Sequence, residues 1–152
     1  MLSKTTELTR LTAEATLVRA PSDGKILQIY TREGERVANT PILLMGNLEQ
    51  MICIAEVHEA HLKNIKTKME NGKLIPDGTY AVKIHSVALE KDLKGEVMEI
   101  GQLIGAPKLR DPNPLARSDH RSAQVKIRLD ETSNKAARRF VHLQVNVTIR
   151  FE

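Results

Sequence analysis

The sequence predicts a mainly β protein: a short strand-and-turn half-motif near the N-terminus, then a small antiparallel β-barrel carrying one short helix. Three observations carry that reading. Apolar and polar residues alternate over Tyr80-Ala81-Val82-Lys83-Ile84-His85, over residues 123–130 and over residues 143–151, the period-two signature of strands with one buried face. Turn chemistry punctuates these runs at Asp23-Gly24, Gly34, Asn71-Gly72 and Pro76-Asp77-Gly78. The chain is 41% hydrophobic but only 3% aromatic and has no Trp, so Val, Ile and Leu must supply the core, which suits small β-domains.

The first elements follow from Val18-Arg19-Ala20-Pro21-Ser22-Asp23-Gly24. Pro21 fixes its own φ and pushes Ala20 to extended geometry, while Asp23-Gly24 supplies a tight turn. A strand is therefore predicted from about Lys25 through Thr31, with Arg32-Glu33-Gly34-Glu35 turning the chain into Arg36-Val37. Pro41-Ile42-Leu43-Leu44-Met45 is a further apolar run closed by Gly46-Asn47. Ahead of this motif, residues 1–16 place Leu8 and Leu11 at i, i+3 with Ser3 or Thr5 available as a cap, but their several Thr residues are poor helix formers. They fit either the end of a helix or a frayed terminus.

Beyond Gly46, residues 51–57 read as a strand with Cys53 as a buried strand residue, and Val57, Ala60, Leu62 and Ile65 then take a helical spacing over residues 56–65. Residues 66–80 hold two turn signals and predict an added hairpin or loop. Residues 93–100 are the next strand, and residues 101–116, with Pro107, Pro112 and Pro114, read as a long connection. Residues 123–130 and 143–151 complete about five strands, enough for a closed or nearly closed barrel that removes free edges.

These residues resemble a known family. The run from Val18 to Gly24, the strand after it and Gly34-Glu35-Arg36-Val37 are similar to the C-terminal half of the lipoyl-like (barrel-sandwich hybrid) domain of HlyD-like periplasmic adaptors, the membrane fusion proteins. Ala55-Glu56-Val57-His58-Glu59-Ala60-His61-Leu62 looks like that family's entry to its β-barrel. Gly95-Glu96-Val97-Met98-Glu99-Ile100-Gly101 and Val125-Lys126-Ile127-Arg128-Leu129-Asp130 look like later barrel strands of the DevB-type branch, the adaptors of ABC exporters. The resemblance covers about residues 12–152. It divides the chain into 1–16, the remnant of a coiled-coil hairpin helix or a disordered segment; 17–50, the lipoyl-like half-motif; and 51–152, the β-barrel. It implies a non-catalytic subunit of an export system for lipid, glycolipid or other substrates. Such a subunit docks on an ABC transporter permease and packs with copies of itself into a periplasmic, inner-membrane-associated ring. Contact with a TolC-like outer-membrane channel requires the helical hairpin. The chain departs from the family at residues 66–80.

The sequence offers no chemistry. His58-Glu59-Ala60-His61 has its His residues at i, i+3, whereas the zinc-protease arrangement needs i, i+4. Asp119-His120-Arg121 has no Ser or Cys in nucleophile context, and there is neither a phosphate-binding loop nor a dinucleotide fingerprint. A single cysteine, Cys53, excludes an internal disulfide. True lipoyl and biotinyl domains present a modified Lys between their two halves; Lys4, the only Lys ahead of Val18, lacks that context, so no cofactor is expected. No apolar run approaches the ~18 residues that span a bilayer and no signal-peptide core is present, so this chain by itself is expected to stay soluble in the cytoplasm.

The net charge of +4 is spread along strands and turns; the densest cluster is Lys135, Arg138 and Arg139, and another is Lys63, Lys66 and Lys68. Two Phe and two Tyr are too few for stacking platforms, so nucleic acid is not the expected partner. A free-standing cytoplasmic β-barrel interaction module that binds nucleic acid weakly through Lys135, Arg138 and Arg139 is the alternative reading. A half-motif has a physical consequence of its own. Ile26, Ile29, Val37, Ile42 and Leu44 lack cover, which makes them the candidate self-association surface for a dimer or higher oligomer.

Overall fold

A computed structural model of the chain describes residues 2–37, 39–108 and 121–150. It is mainly β, and it divides into two compact units, Met1–Leu48 and Glu49–Glu152. Pro112, Pro114, Asp119, His120 and Phe151 lie outside the described residues.

The first unit holds helix α1 (Leu2–Ala15) and an antiparallel two-stranded ribbon of β1 (Lys25–Ile29) and β2 (Leu43–Gly46). Arg10 and Glu14, one turn apart, pair at 3.2 Å on the exposed face of α1. In the ribbon Ile26 opposes Met45, Gln28 opposes Leu44 and Ile29 opposes Leu43, so Leu27 is the extra residue of a β-bulge. The backbone N–H groups of Tyr30 and Thr31 both donate to the Ile42 carbonyl, at 2.9 and 3.1 Å, and carry the pairing past the strand ends. At the predicted turn the Arg32 N–H donates to Glu35 Oε2 at 2.8 Å and the Glu35 N–H returns to the Arg32 carbonyl at 3.1 Å. The second strand starts later than the apolar run, at Leu43.

The second unit runs β3 (Ile52–His58), α2 (Glu59–Leu62), β4 (Thr67–Glu70), β5 (Lys73–Pro76), β6 (Ala81–His85), β7 (Leu93–Gly105), β8 (Ser122–Leu129), α3 (Glu131–Ala137) and β9 (Asn146–Ile149). Every pairing is antiparallel. The sheet runs β3-β8-β7 and forks at β7: one arm is the β5–β4 hairpin, joined through Leu74 opposite Ile100, and the other is β6-β9. Residues 66–80 thus form a hairpin, turned by Asn71 and Gly72 at φ of 49° and 73°, the left-handed pair that an Asn-Gly loop supplies.

Strand β7 corrects the reading of residues 101–116 as a connection, because it continues to Gly105 with Ile104 opposite Ala123 and Gly105 opposite Ser122. Gly101 marks an irregularity inside a strand rather than its end: a Cβ there would meet the Gln124 carbonyl oxygen at 2.9 Å, so β8 passes too close for a side chain. The helix expected over residues 56–65 shrinks to the single turn α2, since β3 holds its ladder as far as His58 opposite Ser122. Residues 143–145 are not strand, and β9 begins only at Asn146.

A second helix in this unit, α3, adds to the single helix expected. Asp130 caps it by accepting from the Ser133 N–H at 2.7 Å, and Glu131 opens its first turn while Lys135 closes its last. The Ser133 hydroxyl accepts from the Lys94 N–H at 2.8 Å. Asn134 accepts from the Met51 N–H at 2.8 Å and donates to the Glu49 carbonyl at 2.6 Å. Helix α3 therefore staples the start of β3 to the end of β8.

The core is aliphatic. Ile84, Val125 and Ile127 are inaccessible, with Val82, Leu93, Val97, Ile100 and Ile65 buried around them. Tyr80 is the one buried aromatic among the described residues, and its hydroxyl accepts from the Lys66 N–H at 2.8 Å. Cys53 is half-buried rather than buried, because β3 lies at the edge of the sheet.

Gly95 sits where β7 crosses β8 most closely, and a Cβ there would stand 2.5 Å from the Arg128 carbonyl oxygen and 3.0 Å from Ile127 Cγ2. Gly95→Ala is expected to destabilise this unit by about 2 kcal/mol, the usual cost of forcing atoms into a packed interior. Urea unfolding followed by circular dichroism checks this, and an unchanged midpoint would show that the two strands part freely.

Candidate interaction surfaces

Among the residues of Met1–Leu48 whose side chains the structure describes, none is buried. Ile26 is 53% exposed and Ile29 60% on β1, and Leu44 is 38% exposed on β2. Ile42, half-buried, flanks β2 and holds the Tyr30 and Thr31 amides. The structure brings these four onto one ribbon, whereas Val37, 57% exposed, lies in the loop between its strands. Sequence reasoning passed over Tyr30 and Leu43, exposed apolar residues of the same ribbon, although both stand in the apolar runs. A two-stranded ribbon has no second layer, so it cannot remove its apolar residues from water by itself.

A second surface lies in the other unit. Strands β3, β4 and β9 are the free ends of the forked sheet, and among the described residues no backbone ladder joins β3 to β9. The barrel is thus open along a seam. A half-open cavity of about 490 Å³ occupies it, lined from the β3 side by Met51 and Cys53, from the interior by Ile84 and Leu129, and from the segment after α3 by Phe140 and Val145. Ile52 and Ile54, on the same strand, are about half exposed. Burial in this apolar wall pushes the Cys53 thiol up to about 11, so the sulfur stays protonated at neutral pH and acts as a small hydrophobe.

Two groups of charged residues pair across neighbouring strands. Glu99 bonds Lys126 at 2.8 Å, with Lys73 at 3.6 Å, and Asp92 bonds Lys83 at 2.8 Å and His85 Nδ1 at 2.6 Å. Lys126 holds the Glu99 carboxyl below its ordinary range, Lys83 and then His85 do so for Asp92, and the Ser133 N–H and hydroxyl do so for Asp130. The basic cluster is partly engaged: Lys135 pairs with Glu131 at 2.9 Å, and Arg138 donates to the Glu49 carbonyl at 2.9 Å. Arg139 is exposed. Lys63 follows α2 while Lys68 belongs to β4.

The rings of His58 and His61 meet edge to face, 6.0 Å apart, and His58 Nδ1 accepts from the Ala60 N–H, which caps α2. Among the described residues no group of three His, Cys, Asp or Glu side chains is placed to hold a metal ion. Nor is any described helix long and apolar enough to cross a membrane. No family model, curated protein or solved structure matches the chain.

The three lowered carboxyls set an acid limit. A folded-state value below the ordinary 3.8 of Asp or 4.5 of Glu contributes stability that is complete above that ordinary value and is lost as pH falls through the folded one. Thermal midpoints are therefore expected to hold between pH 8 and pH 5 and to fall below about pH 4. Replacing Asp92 with Asn and Glu99 with Gln together should flatten that acid limb, and an unchanged pH profile would refute their part in it.

Proposed function

We propose that this chain works as a non-catalytic adaptor module of an ABC-type export system, docking on the transporter permease and packing with copies of itself into a periplasmic ring. The observation that carries this reading is the order of a unit holding a two-stranded ribbon with exposed apolar residues and then a small antiparallel β unit entered through strand β3 and the one-turn helix α2. That order matches the lipoyl-like half followed by the β-barrel in the adaptors that the sequence resembles. In this reading Lys25–Gly46 is one half of a lipoyl-like layer, and its exposed Ile26, Ile29 and Leu44 are the surface that a complementary strand pair covers. Mechanism is then shape and packing: the barrel supplies a rigid wall, the ribbon supplies the joint, and the exported lipid, glycolipid or other substrate passes along the assembled ring. Contact with an outer-membrane channel belongs to a version that carries the helical hairpin.

The partly engaged basic cluster weighs against the nucleic-acid module, since Lys135 and Arg138 already hold protein partners. Crosslinking tests the choice. A photo-activated residue at Ile29 or Leu44, in the chain expressed in its own host, is expected to capture the ABC permease and a second copy of the chain. Capture of neither, together with salt-sensitive binding to random oligonucleotides, would replace the adaptor by the nucleic-acid module.

Self-association is also expected of the purified chain. Light scattering at rising concentration should report a dimer or larger species, and Ile29→Asp with Leu44→Asp should return it to the monomer without altering the barrel's circular dichroism. A wild-type chain that stays monomeric at high concentration removes the ribbon as an assembly surface.

A further inference from the structure

The seam cavity of the barrel has the size and chemistry of a ligand site. Its volume of about 490 Å³ falls in the range of small-molecule pockets, ~300 to 1,000 Å³, and its wall is aliphatic and aromatic: Met51, Leu89, Leu129, Phe140 and Val145, with the protonated Cys53. His142 and Gln144 add polar groups to this mostly apolar wall, which favours a ligand with an apolar body.

The two sides of the seam narrow the occupant further. The β3 side is a strand with a free edge, whereas residues 138–145 opposite are irregular backbone, with His142 at φ of 62°. An inserted peptide strand would find a ladder on one side only and leave its other row of amides unpaired, at a cost of about 1 kcal/mol or more each. A hydrocarbon chain has no such demand and adapts to the irregular wall.

Charge fixes the other end. Arg138 and Arg139 directly follow α3, between the lining residues Ala137 and Phe140, and His142 is itself part of the lining. The Arg138 guanidinium is already donating to the Glu49 carbonyl, and among the described residues none holds an ion pair with exposed Arg139. The acidic groups nearest in the chain to these walls are Glu49, Glu90, Asp92, Asp130 and Glu131; Asp92 is paired with Lys83 and His85, Asp130 accepts from the Ser133 N–H, and Glu131 is paired with Lys135. We infer that the seam cavity binds a lipid with a single acyl chain and an anionic head, the chain lying against Met51, Leu89, Leu129 and Val145 and the head held by Arg139 beside His142. This site is independent of the export role, since an adaptor can assemble without a bound lipid.

Laurate, used below its micelle concentration, is the probe, with dodecyltrimethylammonium and butyrate as controls for head charge and chain length. Calorimetry on the full chain should give a single site for laurate and none for either control. Cys53 is the only cysteine, so its alkylation by iodoacetamide at pH 9 reports the cavity directly, and laurate should slow it several-fold. Arg139→Glu should weaken laurate about tenfold, the worth of one charge-assisted bond, with the fold intact by circular dichroism. Because the chain has no Trp, Phe140→Trp adds a second reporter whose emission should shift to the blue on laurate binding. Absence of laurate binding, equal binding of the cationic chain, or indifference to Arg139→Glu would overturn the proposal. So would protection of Cys53 that rises with protein concentration in the absence of lipid, because a second copy would then fill the seam. None of these outcomes bears on capture of the permease, which tests the adaptor separately.

Discussion

The constraint on which the barrel depends is that one strand, β7, serves three partners. Its 13 residues pair with β8 along one edge and, along the other, first with β6 and then with β5. A strand of regular pleat would carry all of them in one gently twisted sheet. Register shifts between Val97 and Glu99 and between Ile100 and Ile104 bend it instead, so that its two parts present their edges to different neighbours. Gly95 and Gly101 allow the approach of β8 at two places where a methyl group would collide with backbone oxygen. Curvature of the barrel, position of the hairpin and burial of Ile127 under the crossing all follow from that bent strand.

The same curvature explains where the barrel stops. With β7 central, the path ends in β3 on one side and β9 on the other, and helix α3 is placed at the end of the seam between them. Asn134 and Arg138 meet the backbone of residues 49 and 51, so hydrogen bonds from side chains do what a missing ladder does not. That substitution is local. It secures the start of β3 and leaves the apolar length beside it open, which turns an incomplete closure into a cavity.

What the sequence disclosed and what it concealed divide along physical lines. Tyr80-Ala81-Val82-Lys83-Ile84-His85 alternates as β6 does, with Val82 and Ile84 buried, and Asn71-Gly72 specified its turn because few pairs tolerate two left-handed residues. The extent of β7 was hidden because Gly101 and Gly105 read as punctuation, and only the position of β8 reveals them as strand residues. Helix α3 was hidden for another reason. Thr132, Ser133 and Asn134 are poor helix formers, and the helix stands on its Asp130 cap and on tertiary bonds to Lys94, Met51 and Glu49. The Asp130-to-Ser133 spacing was the one local signal. The cavity had none, because its walls come from residues 51–54 and 137–145, brought together only by the path of the sheet. The four ribbon residues were legible as apolar, but Val37 was not separable from them without knowing that β2 starts at Leu43.

The two units solve the problem of apolar burial in opposite ways. In Glu49–Glu152 Val125 and Ile127 lose all contact with water, and at ~25 cal/mol per Å² each such aliphatic side chain offsets the ordering of only about one or two residues, so the whole aliphatic core is needed to hold the strands. In Met1–Leu48 the ribbon has only its own width, and its bulge at Leu27 breaks the alternation that would gather one apolar face. A unit built this way is ordered at the expense of leaving Ile26 and Ile29 more than half exposed, and that expense is recovered only when a second layer covers them. The uncovered apolar surface therefore lies in the smaller unit and the packed core in the larger.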